Sequence, residues 1–443
     1  MINRRTTNRY NPARIFARGG FLRDLLWVVL LGSLGGVAYS RPFIPSDDST
    51  VLAEVPPGAR HAEMAAREVA ARRLDVALPL AQLYIKRARS TGDLRFLGYA
   101  EGVLGPWVGA AAGGAGGVAV APGVAVAPRV AAAPGLAAAP GLAAAPGLAS
   151  RPAPVAASAD ALVLHATVLQ SRHDFVGALS VLERARALRP DDPQAWLTTA
   201  TVLRVLGRYE QSMSACEQVA VRADAIVAEL CKQSIRGLTG DLPSAYAAIA
   251  RISARGMPAD ERAWHDSELG EMAVRLGRDD EAERWFRSGL SASPGDFYIR
   301  AAYADLLLRN GRAQEVLALL RGQETLEPLL LRIAIAQKIL RHPGLEESSA
   351  RLAAAFAAEA QRGEGIHRRE EARFLLDVRD DPRAALAAAQ ENWKVQHECD
   401  DVLVLIRAAR AAGVPQAAAP AAAFVREHGV QDVRVAGAMG VRL

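Results

Sequence analysis

A helical pattern that returns every 34 residues constrains this chain more than any other feature. From Ala159, apolar residues recur at helical spacing (Leu162, Ala166, Leu169) and a polar stretch from Ser171 to Asp174 turns the chain. A second helix then runs from Phe175 to Leu188, and Pro190 ends it. A shift of 34 residues puts Trp196, Ala200 and Leu203 in a first helix and Gly207-Arg208-Tyr209 in the turn, with Ser212 and Cys216 facing inward from the second. From Asp260 the unit returns with Gly270 and Ala273, a Gly277-Arg278 turn, Ala282, Phe286, Gly289 and a closing Pro294. The next unit carries Ala304, Leu307, Gly311, Leu320 and Pro328. A helix pair of this size cannot bury its apolar face alone, so a fixed period predicts a stack in which each pair covers its neighbours.

These residues resemble the tetratricopeptide repeat family. Its small residues let the two antiparallel helices approach closely, its large ones fill the seams to neighbouring pairs, and its proline stops the second helix. Leu182 and Cys216 stand where the family has an aromatic, and Val219 replaces an alanine. The resemblance implies an all-α fold, a right-handed superhelical solenoid of antiparallel helix pairs. An N-terminal helical pair falls within residues 60–107 and the array spans 159–428. The expected pairs are 74–104, 159–192, 193–225, 226–259, 263–296 and 297–328, then three weaker ones at 329–362, 366–396 and 400–428, with an earlier helix over 60–73. Residues 429–443 form a tail that caps the last helix.

The resemblance also implies a concave groove that holds a peptide or partner protein. By position its lining would include Thr167, Gln170, Gln194, Thr201, Arg204, Ser234, Ser267, Glu271, Asp305 and Arg309. This set is polar and mixed in charge, without the basic cluster that clamps a chain-terminal carboxylate. The function expected is a non-catalytic interaction scaffold. The alternatives are a self-associating structural protein and an enzyme acting on cell-wall material, for which Glu271 with Asp305 is the one pair to nominate. Cys216 and Cys231 fall on neighbouring helices of successive pairs, and either a disulfide or two buried thiols fits that placement. No catalytic, cofactor-binding or metal-binding set is expected. His397-Glu398-Cys399-Asp400-Asp401 clusters ligand-type side chains, but consecutive residues cannot converge on one ion. The nucleophile elbow, the phosphate loop and the HExxH motif are all missing.

The chain carries a net charge of +5, and residues 1–40, with six arginines and Asp24, already supply it. The remainder is neutral, which argues against nucleic acid as a partner. Arginine accounts for 49 of the 53 basic residues, the mark of a GC-rich genome rather than of a binding surface. The Arg-rich start, the uncharged run Leu25–Ala38 and the small residues Ala38 and Ser40 read as an export signal over residues 1–40, cleaved or kept as a single anchor. Either way the body would lie outside the cytoplasm, in the periplasm, exported, or anchored to the inner membrane by that segment alone. An extended leader, 41–59, follows it. Residues 108–158 are a low-complexity Ala/Pro/Gly linker in which a hexapeptide repeats five times over 118–147. Proline at every sixth position forbids a continuous helix there.

Overall fold

The computed structural model describes residues 57–91, 95–109, 156–361 and 367–441. The expected signal, nearly all of the leader, the hexapeptide linker and the Gly92-Asp93 turn lie outside them. Every regular element among the described residues is a helix. Helix α1 (Pro57–Ala70) leads into the pair α2 (Leu74–Thr91) and α3 (Arg95–Leu104). Five pairs follow the linker: α4 (Ala159–Ser171) with α5 (Phe175–Leu188), α6 (Pro193–Val205) with α7 (Tyr209–Ala220), α8 (Ala225–Arg236) with α9 (Leu242–Ala250), α10 (Ala259–Arg275) with α11 (Asp279–Ala292), and α12 (Phe297–Arg309) with α13 (Ala313–Leu319). The degenerate stretch folds the same way, as α14 (Glu327–Ile339) with α15 (Leu345–Gln361), α16 (Arg368–Asp377) with α17 (Pro382–Trp393), and α18 (Cys399–Ala411) with α19 (Ala419–His428). The tail supplies α20 (Val433–Met439), which packs back on α18.

Local chemistry explains the hairpins. Asp174, Asp192, Asp224, Asp296 and Asp381 each accept a backbone N–H at a helix start, and Pro193 and Pro382 occupy first turns where no N–H is needed. The turn inside each pair after the linker carries one residue in the left-handed region: His173, Gly207, Gly240, Gly277, Gly311, Arg341, Asp380 and Gly413, with φ from 53° to 84°. Glycine takes this conformation freely; His173, Arg341 and Asp380 do not. Gly270 shows why the small position exists, because a Cβ there would lie 2.4 Å from the Phe286 ring.

The first pair stacks on the array despite the linker. Ala161, Leu164 and Val168 of α4 join Tyr84, Leu97 and Leu104 in one buried cluster. The Trp107 indole donates to Ala70 O at 2.9 Å, and Ser158 N–H donates to Trp107 O at 2.8 Å. Between α7 and α8, Cys216 and Cys231 are joined with an S–S distance of 2.00 Å.

The array then curls until its C-terminal pairs meet its early turns. His397 N–H donates to Val205 O at 2.8 Å, and the Tyr209 hydroxyl donates to His397 O at 3.3 Å. The Gln396 amide and His173 Nδ1 share a hydrogen bond of 2.8 Å, and Leu242 N–H donates to Gln431 Oε1 at 3.0 Å. Gly207 packs so closely under Phe424 that a Cβ would come within 2.7 Å of its ring, and Gly240 backs onto Gly429, where a Cβ would lie 3.5 Å from Gly429 O.

Candidate functional site: the concave cavity

Closure turns the concave face into a cavity of about 880 Å³. First helices carry the charged groups of one wall. Arg204 comes from α6, Glu271 and Arg275 from α10, Tyr298, Asp305 and Arg309 from α12, and Arg332 from α14. The far wall is C-terminal: Arg369, Glu370 and Arg373 on α16, Glu398 before α18, Asp400 and Arg407 on it, and Arg434 on α20. Phe297, Tyr298, Ile339 and Leu403 are among its apolar lining residues. Tyr298 is 48% exposed and Ile339 53%, and both line this space.

Eight arginines and six carboxylates line this space, and most are spent on one another. Asp305 is gripped from two helices, by Arg332 at 2.7 Å and Arg373 at 2.8 Å. Burial pushes its carboxyl up, but the two guanidiniums outweigh burial and hold it well below the usual range. Glu370 behaves likewise: burial opposes its charge, yet Arg369 and Arg332 bring it down to about 2. Arg204 reaches Glu268 at 3.5 Å and Glu398 at 3.8 Å, which ties α6 to α10 and to the C-terminal wall. Arg369 holds Glu398 at 3.1 Å, Arg407 holds Asp377 at 2.6 Å, and Arg434 holds Asp400 at 2.8 Å. Arg275, itself buried, donates to Gly237 O at 2.8 Å. The Glu271 carboxyl is raised, by burial first and then by Glu268 beside it. Burial pushes the Cys399 thiol up to about 12, so it is no thiolate nucleophile.

A second group of ionisable side chains lies at the cavity edge. His367 Nδ1 donates to Glu359 Oε1 at 2.5 Å and stands 3.6 Å from Glu327 Oε2. Burial works against the imidazolium, but Glu359, Glu370 and Glu327 outweigh it and raise the ring to about 9. His173 faces His367 with ring centroids 6.5 Å apart. Burial, and then the His367 charge, keep His173 neutral down to about 4.

Of the ten groove residues expected from sequence, Arg204, Glu271, Asp305 and Arg309 line the cavity. The Thr167, Ser234 and Ser267 side chains are buried and donate to carbonyls of their own helices, those of Val163, Leu230 and Trp264. Gln194 is buried and bonds Thr198, Thr201 donates to Leu197 O, and Gln170 is half-buried on α4. Of the nominated pair, Asp305 is clamped by two arginines and held as a carboxylate, while burial and Glu268 raise Glu271. Sequence reading missed the whole C-terminal wall. Its one signal was charge at helical spacing, Arg369, Arg373 and Asp377, which a solvated helix face would show equally.

The tetratricopeptide repeat family model matches residues 157–323. No curated protein matches the chain. Among solved structures, a thermophilic TPR protein of Thermus thermophilus is 19% identical, with 45% of this chain and 100% of that chain covered and a TM-score of 0.32. A tetratricopeptide repeat protein from Parabacteroides merdae is 14% identical over 56% of this chain and 84% of its own, with a TM-score of 0.33. The Cut9-Hcn1 hetero-tetramer of APC/C is 10% identical over 63% of this chain and 55% of that one, with a TM-score of 0.40.

Proposed function

We propose that this tetratricopeptide repeat protein, its repeats matched over residues 157–323, works as a non-catalytic scaffold that holds a peptide or a partner protein on its concave side. The observation that carries the reading is the cavity itself. Phe297, Tyr298, Ile339 and Leu403 line it as apolar side chains partly open to water, while most of its charged groups are committed to ion pairs that fix the walls. Such a surface recognises shape and apolar side chains and positions them between polar rims.

The same reading places the protein outside the cytoplasm. The Arg-rich start and apolar run of residues 1–40 support export, and the Cys216–Cys231 bond suits an oxidising compartment. None of the described helices is long and apolar enough to cross a membrane.

Crosslinking of the full-length protein in its native cell envelope, read by mass spectrometry, tests both statements. Recurrent links from residues 297–309 and 398–407 to one other protein are expected. Links only between copies of this chain would replace the scaffold by a self-associating structural protein, and links only to cytoplasmic proteins would remove the export reading.

A further inference from the structure

We propose that the seam closing the array is an acid-sensitive latch: protonation of His173 and His397 parts the C-terminal pairs from the early turns and opens the concave cavity. Four of the chain's eight histidines, His173, His367, His397 and His428, meet where the array closes on itself. They form two clusters. In one, His173, from the turn between α4 and α5, faces His367, the residue before α16, with ring centroids 6.5 Å apart. Its Nδ1 shares a 2.8 Å hydrogen bond with the buried Gln396 amide. In the other, the His397 ring packs 4.4 Å from Trp393 and 5.5 Å from Phe424. His428, the last residue of α19, places its ring 4.5 Å from Phe424 and 4.9 Å from Tyr209 of α7.

Both clusters suit neutral rings at the points that titrate. His397 Nδ1 is buried and has no hydrogen-bond partner among the described residues, so a proton there would be a donor without an acceptor. Burial holds this imidazole below its ordinary value against a backbone hydrogen bond with Leu206, and His428 beside it adds to the lowering. Around His173, the His367 and Arg369 cations oppose a second positive charge, and Glu370 and Glu398 favour one. Burial, and then His367, prevail, so the ring stays neutral down to about 4. Glu359 and Glu327 pair with His367 from its own side of the seam, so that charge remains in place when the seam parts. In the open array His173 faces water and returns to 6.5. A base with a lower value closed than open favours closure above about 6.5 and loses that preference as pH falls toward about 4. Between pH 8 and pH 5, His173 alone then raises the opening constant about 30-fold, and His397 acts in the same direction. What enters the opened groove rests on the scaffold reading; the opening is a property of the chain alone.

The test is hydrogen exchange read by mass spectrometry on the full-length protein at pH 8 and pH 5, with no partner added. Protection factors divide out the intrinsic pH dependence of exchange. Protection in residues 396–434 and in the turns at 173 and 207 should fall by about 30-fold or more at pH 5 and return on neutralisation, while residues 263–296 keep theirs. Asparagine tolerates the left-handed turn and takes no charge, so His173→Asn should lose most of the acid-induced drop. Adding His397→Gln should remove the rest, and the single variant serves if the double one does not fold. Each variant is compared with itself at the two pH values, so a uniformly weaker seam does not mimic the result. An equal drop in His173→Asn and in the double variant would assign the effect to carboxylates and overturn the proposal. No drop in the parent, or a drop spread evenly over all repeats, would overturn it as well. A working latch in a chain that crosslinks to no partner would remove the scaffold reading instead, so the two fail separately.

Discussion

Gly270 and Phe286 sit where α10 and α11 come closest, and the pair measures how tightly a repeat is packed. A methyl group at Gly270 would meet the fully buried Phe286 ring at 2.4 Å, which forces the helices apart. Gly270→Ala is expected to lower stability by about 1–3 kcal/mol in urea denaturation, although alanine is the better helix former. Charge at single residues is equally decisive. Asp305→Ala would leave Arg332 and Arg373 facing each other without their anion, and a loss of about 3 kcal/mol should follow in the same assay. Glu261 sets a pH dependence. It is buried, its Oε1 has no hydrogen-bond partner among the described residues, and burial, with Asp260 and Asp224 nearby, raises it from 4.5 to about 7. A carboxyl raised on folding favours the protonated native state. Its contribution is whole below about 4.5 and is lost as pH rises through about 7. Its place in the first turn of α10 offsets part of the loss. The parent should therefore lose about 1–2 kcal/mol between pH 5 and pH 8 relative to Glu261→Gln, as measured by denaturation at both pH values.

At the level of elements, the Cys216–Cys231 bond ties α7 to α8 across the seam between two pairs. Loop closure on this scale constrains the unfolded chain by roughly 3 kcal/mol. Reduction should lower the unfolding free energy by that margin, with a matching fall in the denaturation midpoint, and the drop should vanish in the Cys216→Ala, Cys231→Ala double variant. A midpoint indifferent to reductant in the parent would mean that the two thiols are unbonded in the folded protein. The bond also shows what sequence can reach. Its placement, the pair boundaries and the turn glycines are all set by neighbours one repeat away, so a 34-residue period carries them. Even the degenerate C-terminal stretch was legible as pairs, since α14 to α19 keep the rhythm of helix, turn, helix. The early helix begins at Pro57 rather than Arg60, and the tail capping the last helix is α20. What the period does not carry is contact between repeats far apart in sequence. Small rotations from one pair to the next add up to a curvature, and no single residue states their sum. His397 meeting Val205, and Phe424 covering Gly207, follow from that sum. For the same reason Arg204 and Asp305 were found on the concave side while Arg369, Arg373 and Glu398 were not.

Closure changes how the whole molecule should unfold. An open solenoid behaves as a one-dimensional chain in which terminal repeats have one neighbour and fray first. Here the last pairs have two sets of neighbours. The α18–α19 pair packs on α17 and also on the early turns, through His397 with Val205, Gln431 with Leu242, and Glu398 with Arg204. The seam is lined by aromatic contacts of Phe424 with Tyr209, Trp393 and His397, so it buries apolar surface as well as forming hydrogen bonds. Native-state hydrogen exchange should accordingly show α6 and α18 losing protection in one step, at a shared opening free energy. A linear array would open α18 and α19 well before α6. Phe424→Ala separates the two cases. It removes the ring that covers Gly207, a large-to-small change that costs about 3–5 kcal/mol at a fully buried site and less at this partly buried one. With the seam weakened, exchange in residues 396–434 should speed up to that of free chain ends, and the turns at 173, 207 and 240 should lose protection with it. If only α19 accelerates and those turns stay protected, the two ends of the array are energetically independent and the cavity between them is a groove with one movable wall.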